Sequence, residues 1–132
     1  MADLAETYRD LLNDDGFRAT IDDDGDVVFK YEGGTYYISI YKDDERYFQL
    51  VFPAFWSIDS ADELERAKTA CVKTTQTVKA AKVYLVRDNT NVSASYEAFY
   101  PSPKEAMKVF KRSIGCIQSA ASAFRDAMNK EG

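Results

Sequence analysis

The residues from Phe17 to Trp56 constrain the fold of this 132-residue chain more than any other stretch. They form four short runs in which apolar and polar side chains alternate, separated by three turns rich in aspartate or glycine. The first turn contains Asp24-Gly25 and the second is Gly33-Gly34, and both pairs are strong signals for tight hairpins. Such alternation is typical of strands with one buried face. The stretch therefore predicts an antiparallel meander with helices against one face.

Extending the same reasoning to the whole chain predicts one α+β domain over residues 1–132, in the order α-β-β-β(-β)-α-β-β-α. A first helix is predicted over 3–13 and a second over 60–78, with Asp59 or Ser60 as its cap. The stripe of small side chains on the second helix suits close packing on the sheet or on a second copy of the chain. The predicted strands cover 17–22, 27–32, 35–41, 46–52, 81–86 and 92–100, with Pro53 ending the fourth.

The last helix has the clearest start, because Ser102 is a good cap and Pro103 fits the first helical position. From Met107 to Met128 its apolar side chains recur every three or four residues, which predicts one continuous helix with one apolar seam. Packing of the seam across the sheet is the simpler interpretation. The alternative is that its far end extends beyond a small sheet and meets a partner or a second subunit.

The charges of the chain are unevenly distributed. Residues 1–60 carry 14 acidic and 5 basic side chains, whereas residues 61–132 carry 8 acidic and 12 basic ones. An acidic meander would repel phosphates, so nucleic acid is not an expected partner. The chain contains no apolar run long enough to span a membrane and no signal-peptide pattern, so we expect a cytoplasmic protein that does not bind membranes.

The sequence offers little that points to catalysis. It contains no histidine, no phosphate-binding glycine loop and no nucleophile motif, and the aspartates at 22–26 do not fit an EF-hand loop. We therefore predict no cofactor and no metal site. Cys71 and Cys116 are expected to be reduced and buried. Glu32 and Glu97 are candidate carboxylates for acid–base work, although a solvated position is the simpler expectation for both.

Aromatic side chains are more numerous than one core face can hide, at 14% of the chain. Tyr37, Tyr41 and Tyr47 fall on the face opposite the aliphatic one in the third and fourth strands. Tyrosines half-bury comfortably on a sheet, which is one interpretation of this pattern. The other is an exposed aromatic patch rimmed by acids, as at many protein-binding surfaces.

Three stretches carry a resemblance to a known family: GFRATIDDDGDVVFKYEG at 16–33, YFQLVFPAFWSI at 47–58 and VSASYEAFY at 92–100. With the long final helix that follows, they resemble the YbjN-like family of bacterial sensory-transduction regulators and the type III secretion chaperone-like fold. The resemblance implies a small acidic bacterial protein without catalytic residues, often dimeric, with a regulatory or chaperone-like role. Chaperones of that fold hold extended segments with hydrophobic patches and sheet edges.

Together these observations predict a non-enzymatic homodimer that engages a partner polypeptide through an aromatic sheet or helix surface. The candidate contact residues are Tyr37, Tyr41, Tyr47, Trp56 and Cys71. The alternative is a small-molecule binding protein, with a pocket between the sheet and the last helix lined by Phe110, Phe48 and Tyr31.

Overall fold

The computed structural model describes residues 3–130 and contains a single antiparallel sheet of six strands in the order β1-β2-β3-β4-β6-β5. The strands are β1 (Thr20–Ile21), β2 (Val27–Tyr31), β3 (Gly34–Ser39), β4 (Tyr47–Ser57), β5 (Ala81–Val86) and β6 (Asn91–Phe99). The helices are α1 (Leu4–Asp14), α2 (Ala61–Thr77), α3 (Pro103–Lys108) and α4 (Phe110–Lys130). The α+β class and the predicted element order are confirmed. No helix in the described residues is long and apolar enough to cross a membrane.

The helices pack against one face of the sheet, and the core lies between them. On the sheet side it is built from alternate residues of the strands, such as Phe29, Ile38 and Leu50, all of which are almost completely buried. The side chains of α4 that recur at helical spacing, from Phe110 to Met128, are buried against them. The seam therefore packs across the sheet.

The prediction that Pro53 ends the fourth strand is wrong, because β4 continues to Ser57. Proline is tolerated there because β4 pairs with β3 only as far as Val51, so the missing N–H of Pro53 has no ladder partner on that side. The register with β6 shifts between Phe52 and Trp56, where Ala54 has φ +48° and its N–H donates to Ser93 Oγ at 2.8 Å. This bulge lets the strand pass the proline.

The last helix is not continuous as predicted, because it breaks at Val109 into α3 and α4. No proline or glycine stands at the break. Instead, the hydroxyl of Ser113 donates to the carbonyl of Val109 at 3.0 Å, four residues earlier. At the break, Val109 leaves helical geometry with φ −116° and ψ 18°, and its N–H donates to the carbonyl of Ala106 at 3.3 Å, three residues earlier. Apolar periodicity cannot predict such a local change.

The first strand is much shorter than the predicted 17–22. The side chain of Asn13 accepts a hydrogen bond from the N–H of Ala19 at 2.7 Å and donates to its carbonyl at 3.4 Å. The chain before Thr20 is thereby held away from β2, and pairing begins only at Thr20 with Val28. Tyr31 and Gly34 form the closing pair of the next hairpin, and the direction of the peptide groups alternates from one pair to the next. The peptide groups of Lys30 therefore point away from β3, toward an edge that no strand within residues 3–130 covers at this position.

At the opposite edge, α2 closes the sheet. The hydroxyl of Thr75 accepts a hydrogen bond from the N–H of Val83 at 3.0 Å and donates to the carbonyl of the same residue at 3.4 Å. These are the outward-facing peptide groups at the middle of β5. The middle of this edge is therefore satisfied by a side chain rather than by another strand.

Candidate functional site: the open face of the sheet

The sheet face opposite the helices carries no further layer within residues 3–130, and we call it the open face. The strand register brings to it every second residue of β3, β4, β5 and β6. Its members include Tyr37, Tyr47, Tyr84, Lys82, Glu97 and Phe99. The alternation of the sequence predicted this face correctly for Tyr37 and Tyr47.

Three aromatic side chains meet at one end of the open face. The ring of Tyr47 lies between those of Tyr41 and Phe99, with centroid separations of 5.0 Å and 5.5 Å. Phe99 is 72% exposed and Tyr41 is 43% exposed. We call these three residues the aromatic cluster. Large rings this exposed are unusual on a surface that has no partner.

A polar network adjoins the aromatic cluster and is centred on Glu97. Its carboxylate accepts hydrogen bonds from the hydroxyls of Tyr47 and Ser95, the latter at 2.7 Å, and pairs with Lys82 Nζ at 2.7 Å. Partial burial alone would raise the pKa of Glu97, but the bonds from Lys82, Tyr47 and Ser95 outweigh it and hold this pKa at about 2. Burial and the bond to Glu97 both raise the pKa of Tyr47. Glu97 is therefore ionised and its neighbours protonated at neutral pH.

Tyr37 and Tyr84 flank the middle of the open face. Both are half-buried, and beneath this layer Val51 and Ser95 are almost inaccessible although no helix covers them. Burial is the main reason why the pKa values of both tyrosines are raised. Tyr37 is therefore partly a covering residue of the sheet, whereas Tyr41 is more exposed.

Acidic turns border the aromatic cluster. The turns at 22–26 and 40–46 lie at the same end of the sheet and together carry seven acidic and two basic side chains. They are tied to each other because Asp26 Oδ1 accepts the N–H of Ile40 at 2.9 Å. The exposed rings thus lie beside a concentration of negative charge.

The structure does not bring the other two candidate contact residues to this face. Trp56 lies on the helix side, where its ring contacts Phe124 and its Nε1 donates to Glu63 at 2.9 Å. Cys71 is 8% exposed in the core, and burial raises its pKa to about 11. Trp56 has the same parity as Phe52, and the bulge preserves its face because Phe52 pairs with Ala94 and Trp56 with Val92. The small side chains of α2 face its own sheet. Both assignments to a partner surface are corrected accordingly.

The residues of the predicted pocket do not enclose a cavity together. Phe48 and Phe110 are nearly inaccessible and their rings lie 6.3 Å apart in the core. Tyr31 lines an open cleft of about 630 Å³ at the β2 edge, next to Phe17. The candidate carboxylates are also separate, since Glu32 accepts from Gln118 of α4 on the helix side while Glu97 is on the open face.

Sequence reasoning missed Phe99, Tyr84 and Lys82 as members of the open face. Phe99 shares the parity of Glu97 in β6, so alternation alone could have found it. Tyr84 and Lys82 share a parity in β5, but their position next to β6 depends on the strand order, which the sequence does not reveal. The pairing of Lys82 with Glu97 therefore could not be predicted from sequence patterns.

Comparisons with known proteins support the fold alone. No model of a protein family matches the chain, and no curated protein sequence is significantly similar to it. Among solved structures, an uncharacterised protein from Methanothermobacter thermautotrophicus superposes with a TM-score of 0.57 at 12% identity. The alignment covers 95% of this chain and 99% of that protein. At this identity the similarity shows a shared architecture from one end of the described domain to the other.

Proposed function

We propose that this chain is a non-enzymatic cytoplasmic binding protein with a regulatory or chaperone-like role, which engages a partner polypeptide through the open face. The observation that carries the proposal is the aromatic cluster, in which Phe99 is 72% exposed on a sheet face without a covering layer. Exposed rings with a polar surround are typical of protein-binding surfaces, where aromatic residues supply much of the binding energy.

The charge beside the aromatic cluster favours one kind of partner. The two acidic turns repel nucleic acid and acidic proteins, and they attract a segment rich in arginine or lysine. Tyrosine and phenylalanine rings also bind such cations through their faces. We therefore propose a cationic polypeptide segment as the occupant of the open face.

A second copy of the chain is the competing occupant, because the sequence leads us to expect a homodimer. The small side chains of α2 cannot form that interface, since Ala67, Ala70, Cys71 and Thr74 are buried within the protomer. A dimer formed through the open face would bring two sets of acidic turns together, and these would oppose close approach of two identical surfaces. The charge thus favours a cationic partner over self-association.

Titration of the labelled protein with a short synthetic peptide of alternating arginine and threonine tests the proposal. Amide NMR shifts should change at the aromatic cluster and in the turns at 22–26 and 40–46, and binding should weaken as salt is added. The same peptide with glutamate in place of arginine is the matched control and should not bind. Equal binding of both peptides, or shifts confined to the helix side, would contradict the proposal.

A double variant locates the contact. Tyr41→Ser with Phe99→Ser removes two exposed rings and should weaken binding of the arginine peptide roughly tenfold while leaving the fold intact. Val72→Ser is the control, because Val72 is 61% exposed on α2, away from the open face. Sedimentation of the same proteins measures whether they form dimers, and so tests whether a second copy of the chain is the occupant. A stable dimer that the double variant dissolves would show that a second copy occupies the face, and would overturn the cationic partner.

A further inference from the structure

A second concave site lies on the helix side of the sheet, away from the open face. It is a cleft of about 460 Å³ between the end of β6 and the start of α4. Its walls come from the segment before β5, from the β6 end and from α4. The lining residues on which the argument rests are Lys79, Arg112, Tyr96, Tyr100, Val109 and Cys116.

The charged residues that line this cleft within residues 3–130 are both basic. Lys79 and Arg112 line it, and no acidic side chain of the described residues does. Within residues 3–130 neither cation forms an ion pair, although Lys68, Lys82 and Lys108 all do. Both side chains are solvent-exposed and line one concavity, so a bound anion would meet two cations and no competing carboxylate there.

The cleft also offers neutral hydrogen-bond donors and an apolar wall. The hydroxyls of Tyr96 and Tyr100 share one hydrogen bond, so only one of their two protons is used between them. Burial is the main cause that raises the pKa of Tyr100 to about 12, so this hydroxyl keeps its proton at neutral pH. The ring faces and the 39% exposed side chain of Val109 supply apolar surface.

The break between α3 and α4 lies at the wall of the same cleft. Val109 is the residue of the break and Ser113 makes the hydrogen bond that accompanies it, and both line the cleft. A mid-helix stretch of 3₁₀ geometry often marks a functional hinge, and the N–H of Val109 makes such a three-residue bond, to the carbonyl of Ala106 at 3.3 Å. The interruption is thus a second feature, independent of charge, at the same place.

We infer that this cleft is a binding site for a small organic anion, with its phosphate or carboxylate group between Lys79 and Arg112 and its apolar part against Val109 and the tyrosine rings. The inference goes beyond the proposed function, which concerns the opposite face of the sheet. It also differs from the pocket that the sequence predicts, since neither Phe48 nor Phe110 lines this cleft.

Cys116 allows the site to be tested directly, because its thiol lines the cleft while Cys71 is buried in the core. Alkylation by iodoacetate and by iodoacetamide is followed separately at each cysteine by peptide mass spectrometry. The cations should favour the anionic reagent, so the iodoacetate-to-iodoacetamide rate ratio at Cys116 should fall roughly tenfold when Lys79 and Arg112 are both changed to Gln. Phenyl phosphate or benzoate should slow alkylation of Cys116 in the unmodified protein.

Matched variants separate binding from general effects. Lys111→Gln removes the same charge from the neighbouring residue, which lines a different cleft, and should leave the ratio unchanged. Arg112→Lys keeps the positive charge and should therefore retain most of the iodoacetate-to-iodoacetamide rate ratio at Cys116. Protection by phenyl phosphate alone, or by benzoate alone, supports the inference and assigns the anionic group. Protection by neutral benzyl alcohol to the same extent, or an unchanged ratio in a folded double Gln variant, would overturn it.

Discussion

At the scale of single residues, Glu97 organises the open face. A carboxylate on an exposed strand face usually contributes little, but this one is a common acceptor for groups on three strands: Lys82 on β5, Tyr47 on β4 and Ser95 on β6. The network fixes the ring of Tyr47, and through it the aromatic cluster. Glu97 is therefore a positioning residue for the proposed contact surface.

The depressed pKa of Glu97 gives a pH dependence with a definite sign. A folded pKa of about 2 lies below the ordinary value of about 4.3, so Glu97 stabilises the native state above that value and loses this effect as the pH falls toward 2. Glu97→Gln should cost roughly 1–3 kcal/mol at pH 7. The gap in Tm between the two proteins should narrow from pH 5 downward in thermal melts.

The exposed acid Glu45 provides the control for that measurement. Glu45→Gln should leave Tm nearly unchanged at pH 7, because surface substitutions away from such networks have small effects. A gap between the native protein and Glu97→Gln that stays constant from pH 7 to pH 3 would show that the network does not depend on ionisation.

The sequence predicts only part of this cluster. Tyr37, Tyr41 and Tyr47 could be assigned to one face because alternation has a period of two, which needs no knowledge of strand order. The hydrogen-bond partners of Glu97 could not be predicted in this way, because they depend on β6 lying between β4 and β5. Local pattern thus identifies the face, whereas contact between distant residues requires the topology.

At the scale of elements, the two sheet edges differ in how their peptide groups are satisfied. Thr75 of α2 covers the middle of the β5 edge, while the β2 edge stays open at Lys30 because Asn13 holds the preceding chain aside. Neither device has a sequence signature, since Thr75 and Asn13 are ordinary polar residues in helices. The same is true of the break at Val109 and of the bulge after Phe52.

Replacing Thr75 by valine tests the closure of the β5 edge. The change keeps the shape of the side chain but leaves the N–H of Val83 without its partner, which should cost about 1–2 kcal/mol. Urea unfolding measures this cost. Light scattering at high concentration should also show more association, because the edge is then free to pair.

Thr69 offers a matched substitution on the same helix. Its hydroxyl bonds only the carbonyl of Glu65 within α2, so Thr69→Val should change the free energy of unfolding by less than about 0.5 kcal/mol. Equal effects of the two substitutions would mean that Thr75 acts through the helix rather than through the sheet edge.

At the scale of the whole molecule, acidic and basic side chains are concentrated in different parts of the fold. The acidic turns of the meander lie at one end of the sheet, and the basic side chains are concentrated in the segments from α2 onward. The composition of the two halves was evident from the sequence. That the turns at 22–26 and 40–46 lie together, and that Lys79 and Arg112 share a cleft, follows only from the fold.

This separation predicts that salt stabilises the protein. Repulsion between the two acidic turns is screened as ionic strength rises. The Tm should therefore increase by roughly 2–4 °C between 20 and 300 mM NaCl. The variant Asp24→Asn with Asp44→Asn should melt higher at low salt and depend less on it. A Tm that falls with added NaCl would show that attractive pairs outweigh this repulsion.

The unequal edges of the sheet also limit how copies of the chain can assemble. Growth of an open-ended fibre by edge pairing needs two free edges on every copy, one to accept the next strand and one to offer. Here Thr75 occupies the outward-facing groups of Val83 at the middle of β5, which leaves the β2 side as the more accessible edge within residues 3–130. Association through that side would be self-terminating, because two copies that pair there cover each other's accessible edge.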